Sequence, residues 1–220
     1  MRISRITNAK LSELFRKFKK IQESQHYDYI AFCNYHFQEI QKLEFEEYIE
    51  IKYAYVKALY HLDRASLFYK IADQSLLEVI NQEEFTEQYK NIYYHILLLK
   101  AERLLEEKKF NQSRKIYQNL YRLNPEDKKA KNKLWFISFR LMQSQQKNWL
   151  TAAAILLILS LFTLIAASFL ILPFFSKYSD TALNVVNLML LLSLSMVSLS
   201  FIKTYISTKT MMRNLDKELQ

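Results

Sequence analysis

The side chains best able to do chemistry are scattered along this chain. Four histidines, His26, His36, His61 and His95, are the candidates for metal ligation or proton transfer. No two lie three or four residues apart, the spacing that puts two imidazoles on one helix face, and no H-E-x-x-H run exists. Glu46–Glu47 and Glu106–Glu107 are adjacent carboxylates. Neighbouring positions of a helix point to different faces, so both pairs read as solvated surface rather than as an acid–base dyad. The single cysteine, Cys33, leaves no internal disulfide and no cysteine metal cluster, and reads as a small apolar residue. The chain has no glycine. A P-loop, a G-x-G-x-x-G turn and a G-x-S-x-G elbow all need glycine for φ > 0 or for close backbone approach, so all three are excluded. The expectation is a protein that is not an enzyme and uses no metal or cofactor.

The elements that hold these residues divide by composition. Residues 1–148 are charged and rich in Tyr and Phe, whereas 149–202 are almost uncharged. Of the net charge of +9, the part from 149 onward carries +2 and the head +7. Arg2, Arg5, Lys10, Arg16, Lys17, Lys19 and Lys20 stand against Glu13 alone in the first twenty positions. A basic excess beside a bilayer suits anionic lipid, at this N-terminal segment and at the juxtamembrane Lys/Arg. It also suits nucleic acid, but the acidic stretch Glu44, Glu46, Glu47 and Glu50 argues against that partner. Residues 1–20 lack the apolar core of a signal peptide. They are amphipathic, basic and acid-poor like a mitochondrial presequence, but they also fit the first helix of the head, the preferred reading.

From Trp149 to Phe175 no residue is charged, about 27 positions where about 20 suffice to span a bilayer. Trp149 suits one interface and Pro173 the far end. The polar turn 176–181 (SKYSDT) leads to a second apolar run, 182–202. So short a loop predicts an antiparallel transmembrane hairpin. Lys128, Lys129, Lys131, Lys133, Arg140 and Lys147 precede the first span, Lys203, Lys209, Arg213 and Lys217 follow the second, and the turn has only Lys177. The bias puts both termini in the cytoplasm, with 203–220 as a basic tail. Asn184, Asn187, Ser193, Ser195, Ser198 and Ser200 lie in the second span, and hydrogen bonding between the two spans is the expected role. Neither span holds a charged residue or histidine, which argues against an ion or proton path.

The head reads as helices throughout. Leu11, Leu14, Phe15, Phe18 and Ile21 recur at helical spacing, as do Ile49, Tyr53, Val56 and Tyr60, and then Ile96, Leu97 and Leu104. Breaks fall near 23–27, 61–64, 80–86, 107–111 and 124–127, and Pro125 suits the start of the next helix. Asn111-Gln112-Ser113 is a formal glycosylation sequon on the cytoplasmic side, where local capping is the better role.

Residues 108–127 (KKFNQSRKIYQNLYRLNPED) resemble a tetratricopeptide repeat, with Phe110, Ser113, Tyr117, Leu120, Leu123 and Pro125 in the motif's places and Ala101 at the small position upstream. The pattern placed at Leu62 meets Ala65, Tyr69 and Ala72. Placed at Tyr27 it meets Ile30, Phe37 and Ile40, while Tyr53 stands where the family has a small residue. The resemblance implies an all-α head over 1–125 of about three helical pairs. A capping and juxtamembrane helix over 126–148 leads into the spans 149–175 and 182–202. A generic helical bundle is the other reading of the head.

Stacked hairpins of this family leave a groove lined by the first helix of each pair. The matching positions here are Phe15, Lys19, Ala54, Leu98 and Glu102. Only Lys19 suits the carboxylate clamp of some family members, so the resemblance implies an apolar or aromatic groove for a helix or extended peptide. The function expected is a membrane-anchored adaptor that recruits a partner protein. The alternatives are an accessory subunit of a membrane complex, its spans held through Asn184 and Asn187, and a hairpin that shapes the membrane.

Overall fold

The computed structural model describes residues 12–82, 84, 86–166, 168–169 and 179–218. Its elements there are helices: α1 (Glu13–Phe18), α2 (His26–Tyr35), α3 (Phe37–Ile40), α4 (Phe45–His61), α5 (Ala65–Ile80), α6 (Glu87–Glu106), α7 (Phe110–Leu123), α8 (Lys128–Gln145), α9 (Lys147–Ala166) and α10 (Ser179–Glu218). They form two units, 1–127 and 128–220. No strand occurs among the described residues.

Local chemistry sets the ends of these helices. The Ser12 hydroxyl accepts from the Phe15 N–H (3.1 Å) and caps α1, and Thr86 accepts from Tyr89 N–H (3.3 Å) and caps α6. Ser12 also donates its hydroxyl (2.5 Å) and its backbone N–H (2.9 Å) to Glu47, which ties the start of α1 to α4. Two of the C-terminal ends are the same device. After α4, Asp63 has φ 57°, and after α6, Lys108 has φ 60°. Arg64 N–H reaches back to Leu59 C=O (3.0 Å) and Asp63 N–H to Tyr60 C=O (3.2 Å). Lys109 N–H reaches Leu104 C=O (2.8 Å) and Lys108 N–H reaches Leu105 C=O (3.0 Å). Both are Schellman caps built without glycine, at a position where glycine is the usual residue. Each makes a three-residue turn, so α4 and α5 form one hairpin and α6 and α7 another.

In the first unit α4 is central: it packs on α1, α2, α5 and α6. The α6 helix then packs on α5 and α7. Burial follows helical spacing. Ile49, Val56 and Leu59 are buried on α4, Phe68, Ala72, Leu76 and Val79 on α5, Ile96, Ala101 and Leu104 on α6, and Tyr117, Leu120 and Tyr121 on α7. Phe15, Phe18, Cys33, Ile40 and Ile51 make a separate cluster where α1, α2 and α3 meet α4. At the α6–α7 contact Ser113 is fully buried, and its hydroxyl donates to Ala101 C=O at 2.8 Å. The expected capping by Asn111 does not occur, because α7 begins at Phe110 and its N-cap, Lys109, makes no side-chain cap bond.

The turn expected at 23–27 is longer, with α1 ending at Phe18 and α2 beginning at His26. Two further interruptions, at His36 and at 41–44, lack Gly or Pro and have no sequence signal of the usual kind. Pro125 lies in the turn 124–127 rather than at a helix start. There Asn124 accepts from Glu126 N–H (3.3 Å), and α8 begins only at Lys128.

In the second unit α8 packs on α9 and α10, and α9 packs on α10. The expected capping helix thus groups with the apolar pair. Three contacts between α8 and α10 run in opposite chain order: Lys131 pairs with Asp216 (3.4 Å), Trp135 meets Tyr205 and Phe139 meets Phe201, while the Thr208 hydroxyl donates to Met142 Sδ (3.3 Å). The expected polar turn 176–181 is already helical from Ser179, which suits Asp180 in a first turn. Residues 203–218, read as a tail, continue the same helix. Pro173 and the end of the first apolar run lie outside the described residues.

Candidate functional site

The five residues expected to line a groove are partly brought together. Phe15 is buried, stacked on Phe18 with ring centroids 5.6 Å apart, so it is core and not groove. Lys19, one turn on, is exposed. It lies over the Phe15 ring at 5.0 Å and forms an ion pair with Glu50 of α4. Lys19 and Ala54 line one cavity of about 230 Å³, with Glu50, Tyr53, Lys57 and His26 among its other walls. Leu98 and Glu102 are half-buried one turn apart on α6 and do not line that cavity. The α4 and α6 helices are joined beside them, by Tyr53 against His95 (6.1 Å) and by the Tyr60 hydroxyl donating to Glu106 (2.7 Å). Burial and that carboxylate push the Tyr60 hydroxyl well above the usual tyrosine range, which keeps it a donor.

One residue of the cavity wall, His26, belongs to a pair that spacing along the sequence did not suggest. His26 and His61 stack face to face, 4.4 Å between centroids and 14° between planes. Thirty-five positions separate them, so only tertiary packing joins them. Burial lowers the His26 pKa, and the nearby His61 and Lys57 lower it further. No group of three metal-ligating side chains occurs among the described residues.

A second cavity of about 260 Å³ lies on another side of α4, lined by Phe37, Ile40, Ile51, Tyr55, Leu67 and Ile71 with Asn34, Gln41 and Gln74. Phe37 is 61% exposed at its edge. Cys33 forms part of the same wall, and burial pushes its thiol up to about 12, so it stays protonated and unreactive at neutral pH. Nearby, Lys52 bridges to Glu78 (2.5 Å) and to the Tyr48 hydroxyl (2.8 Å), tying α4 to α5.

The apolar pair is the other feature. α9 and α10 each include a stretch long and apolar enough to cross a membrane. They pack on each other, and small side chains are buried on both: Ala153 and Ser160 on α9, and Ser193, Ser200 and Thr204 on α10. The buried hydroxyls bond within their own helices, Ser160 to Leu157 C=O (2.7 Å) and Ser193 to Leu190 C=O (2.9 Å). Asn184 and Asn187 are exposed and make no hydrogen bond among the described residues. Among the described residues, then, neither asparagine bonds to α9, and both lie on the face of α10 opposite the buried Ser193 and Ser200.

Comparison with known proteins finds no matching family model, no matching curated protein and no matching solved structure.

Proposed function

We propose that this chain is a membrane-anchored adaptor whose helical head recruits a partner protein to the bilayer surface. The observation that carries the reading is exposure. Only 11% of the apolar window of α9 and 17% of that of α10 are buried. The core helix of a soluble protein buries such a surface, and a continuous apolar band of this size needs another cover. Lipid supplies it along a full span.

The spans run antiparallel. The opposite order of the α8–α10 contacts supports this, and so does the short chain between α9 and α10. The charge bias puts 1–148 and 203–220 on the cytoplasmic side, with Lys147 and Lys203 at the level of anionic headgroups. The head is a tetratricopeptide-like stack. In support, α1 packs on α4 and α4 on α6, the first helices of successive pairs, while α2 packs on α4 and α5 on α6. The small pair Ala101 and Ser113 lets α6 and α7 approach closely. The partner binds the α1–α4–α6 face around Lys19 and Ala54. Tethering raises its local concentration without any further contact.

The test is affinity capture with the tagged full-length protein in mild detergent, beside Ala54→Arg and a chain whose two spans are replaced by unrelated ones. The adaptor reading expects one stoichiometric partner that the span-replaced chain keeps and Ala54→Arg loses. Loss with the replaced spans and retention by Ala54→Arg would instead make the chain a subunit held through its membrane helices.

A further inference from the structure

A membrane span that carries two carboxamides must give them a hydrogen-bond partner or hold them at its edge. In α10, helical geometry separates two faces. Val186, Ser193 and Ser200 are buried and lie within roughly 40° of one another around the axis. Asn184, Asn187, Leu191, Ser195 and Ser198 are all exposed, lie within roughly 80° of one another, and centre about 160° from the buried face. Most of the exposed polar groups of the apolar stretch therefore share one stripe, on the side opposite the buried face. The Ser195 hydroxyl is satisfied within the helix, donating to Leu192 C=O at 2.8 Å. The carboxamides of Asn184 and Asn187 make no such bond.

The spacing of this stripe is that of a helix–helix seam. Asn184, Asn187, Leu191 and Ser198 alternate at three, four and seven residues, as a and d positions do. In hydrocarbon the attraction between two helices comes from close packing and from hydrogen bonds, and an unpaired carboxamide is the group that gains most from a partner.

We propose that the occupant of this face is the same face of a second copy, so that α10 forms the interface of a parallel transmembrane dimer. The reading rests on α10 spanning the bilayer. The argument for self-association is complementarity. Two copies inserted with one topology are related by a twofold axis along the membrane normal, so each residue meets its own counterpart at equal depth. A carboxamide carries donors and acceptors together, so Asn187 opposite Asn187 satisfies both, and Asn184 repeats the match one turn away. Leu191 packs between these and the small Ser195 and Ser198. An unlike partner would need its own polar groups at the same two depths.

The experiment uses the full-length chain with Cys33→Ser, reconstituted in phosphatidylcholine vesicles at low protein density. Resistance to alkaline carbonate is measured first. Leu191→Cys on the proposed seam and Phe162→Cys on the exposed side of α9 are then oxidised in parallel. The expected result is a cross-linked dimer for Leu191→Cys and none for Phe162→Cys. The added changes Asn184→Leu and Asn187→Leu, which keep the span apolar, should lower the dimer about tenfold, and Asn187→Gln should retain most of it. Protein stripped by carbonate would refute the spanning reading. Protein that resists carbonate but gives equal, density-dependent cross-linking at both positions, or none at Leu191→Cys, would overturn the dimer alone. So would a Leu191→Cys dimer that ignores the asparagine changes.

Discussion

At the residue scale the His26–His61 stack makes a specific claim on pH. Burial and the nearby His61 and Lys57 hold His26 below its ordinary value in the folded chain, while the unfolded chain titrates near 6.5. As pH falls through that value the unfolded state takes up the proton first. The stabilisation from neutral His26 is therefore complete above about pH 7, is lost as pH falls towards the lowered folded value, and declines no further below it. The melting temperature of the full-length protein should drop between pH 7.5 and 5.5. In His26→Phe, which keeps a ring on His61 without a titrating group, that drop should be smaller. A slope unchanged by the substitution would assign the pH dependence elsewhere. Nothing in the linear spacing of the histidines announces this pair, because periodicity reports neighbours along one helix and not rings that meet between helices. The same limit applies to Asn184 and Asn187. Their presence in an apolar run was legible, but the side of α10 they occupy depends on which face meets α9.

At the element scale the two Schellman caps explain how a chain without glycine turns sharply. The breaks at 61–64 and 107–111 are readable from the interrupted periodicity, but the left-handed residues that make them are not, since neither Asp63 nor Lys108 is the glycine that usually marks such a cap. An L-residue there costs roughly 1–2 kcal/mol that glycine does not. Lys108→Gly should therefore stabilise the chain by about 1 kcal/mol in a thermal or denaturant melt. Asp63→Gly should gain less. Asp63 is of the type that tolerates this conformation best, and it also forms an ion pair with Arg103 of α6. A larger gain at Asp63 than at Lys108 would contradict this account. Asp63 and Lys108 stand 45 residues apart, against about 34 in the tetratricopeptide repeat proposed for the head, so these hairpins are long. Their equivalence pairs Ala65 with Phe110, three residues out of the register that the motif had placed at Leu62. The motif residues Ala72, Ser113 and Tyr117 are nonetheless buried. Helix type and most boundaries were legible because aromatic and aliphatic residues recur at three and four. The breaks at His36 and 41–44 were not, because polar residues that suit a helix surface suit a loop as well.

At the scale of the whole molecule the sequence divides by composition near residue 149, whereas the structure divides at 127–128. The difference is α8. Its charged surface resembles the head, but its apolar side, Ala130, Leu134 and Ile137, belongs to the same unit as α9 and α10. Composition averages over both faces of an amphipathic helix and cannot say which neighbour takes the apolar one. The topology proposed above makes its own prediction. With Cys33→Ser as background, an impermeant maleimide added to the cytoplasmic side should label Lys209→Cys and leave Thr181→Cys untouched, and the opposite side should reverse the pattern. Labelling of both from one side would mean that the apolar pair does not cross the bilayer.

The last helix is one uninterrupted rod of 40 residues, roughly 60 Å long. Its neighbour along the same course is jointed, with a turn at Gln146 between α8 and α9. A jointed member bends where it is hinged, while a continuous one carries torque from end to end. Any rotation imposed on Asn184 and Asn187 at one end therefore reappears as the same rotation of Lys209 and Arg213 at the other. In mechanical terms α10 is an axle, and in the membrane-spanning arrangement proposed above the angle at which it is held on one side of the bilayer sets the direction its cationic face points on the other.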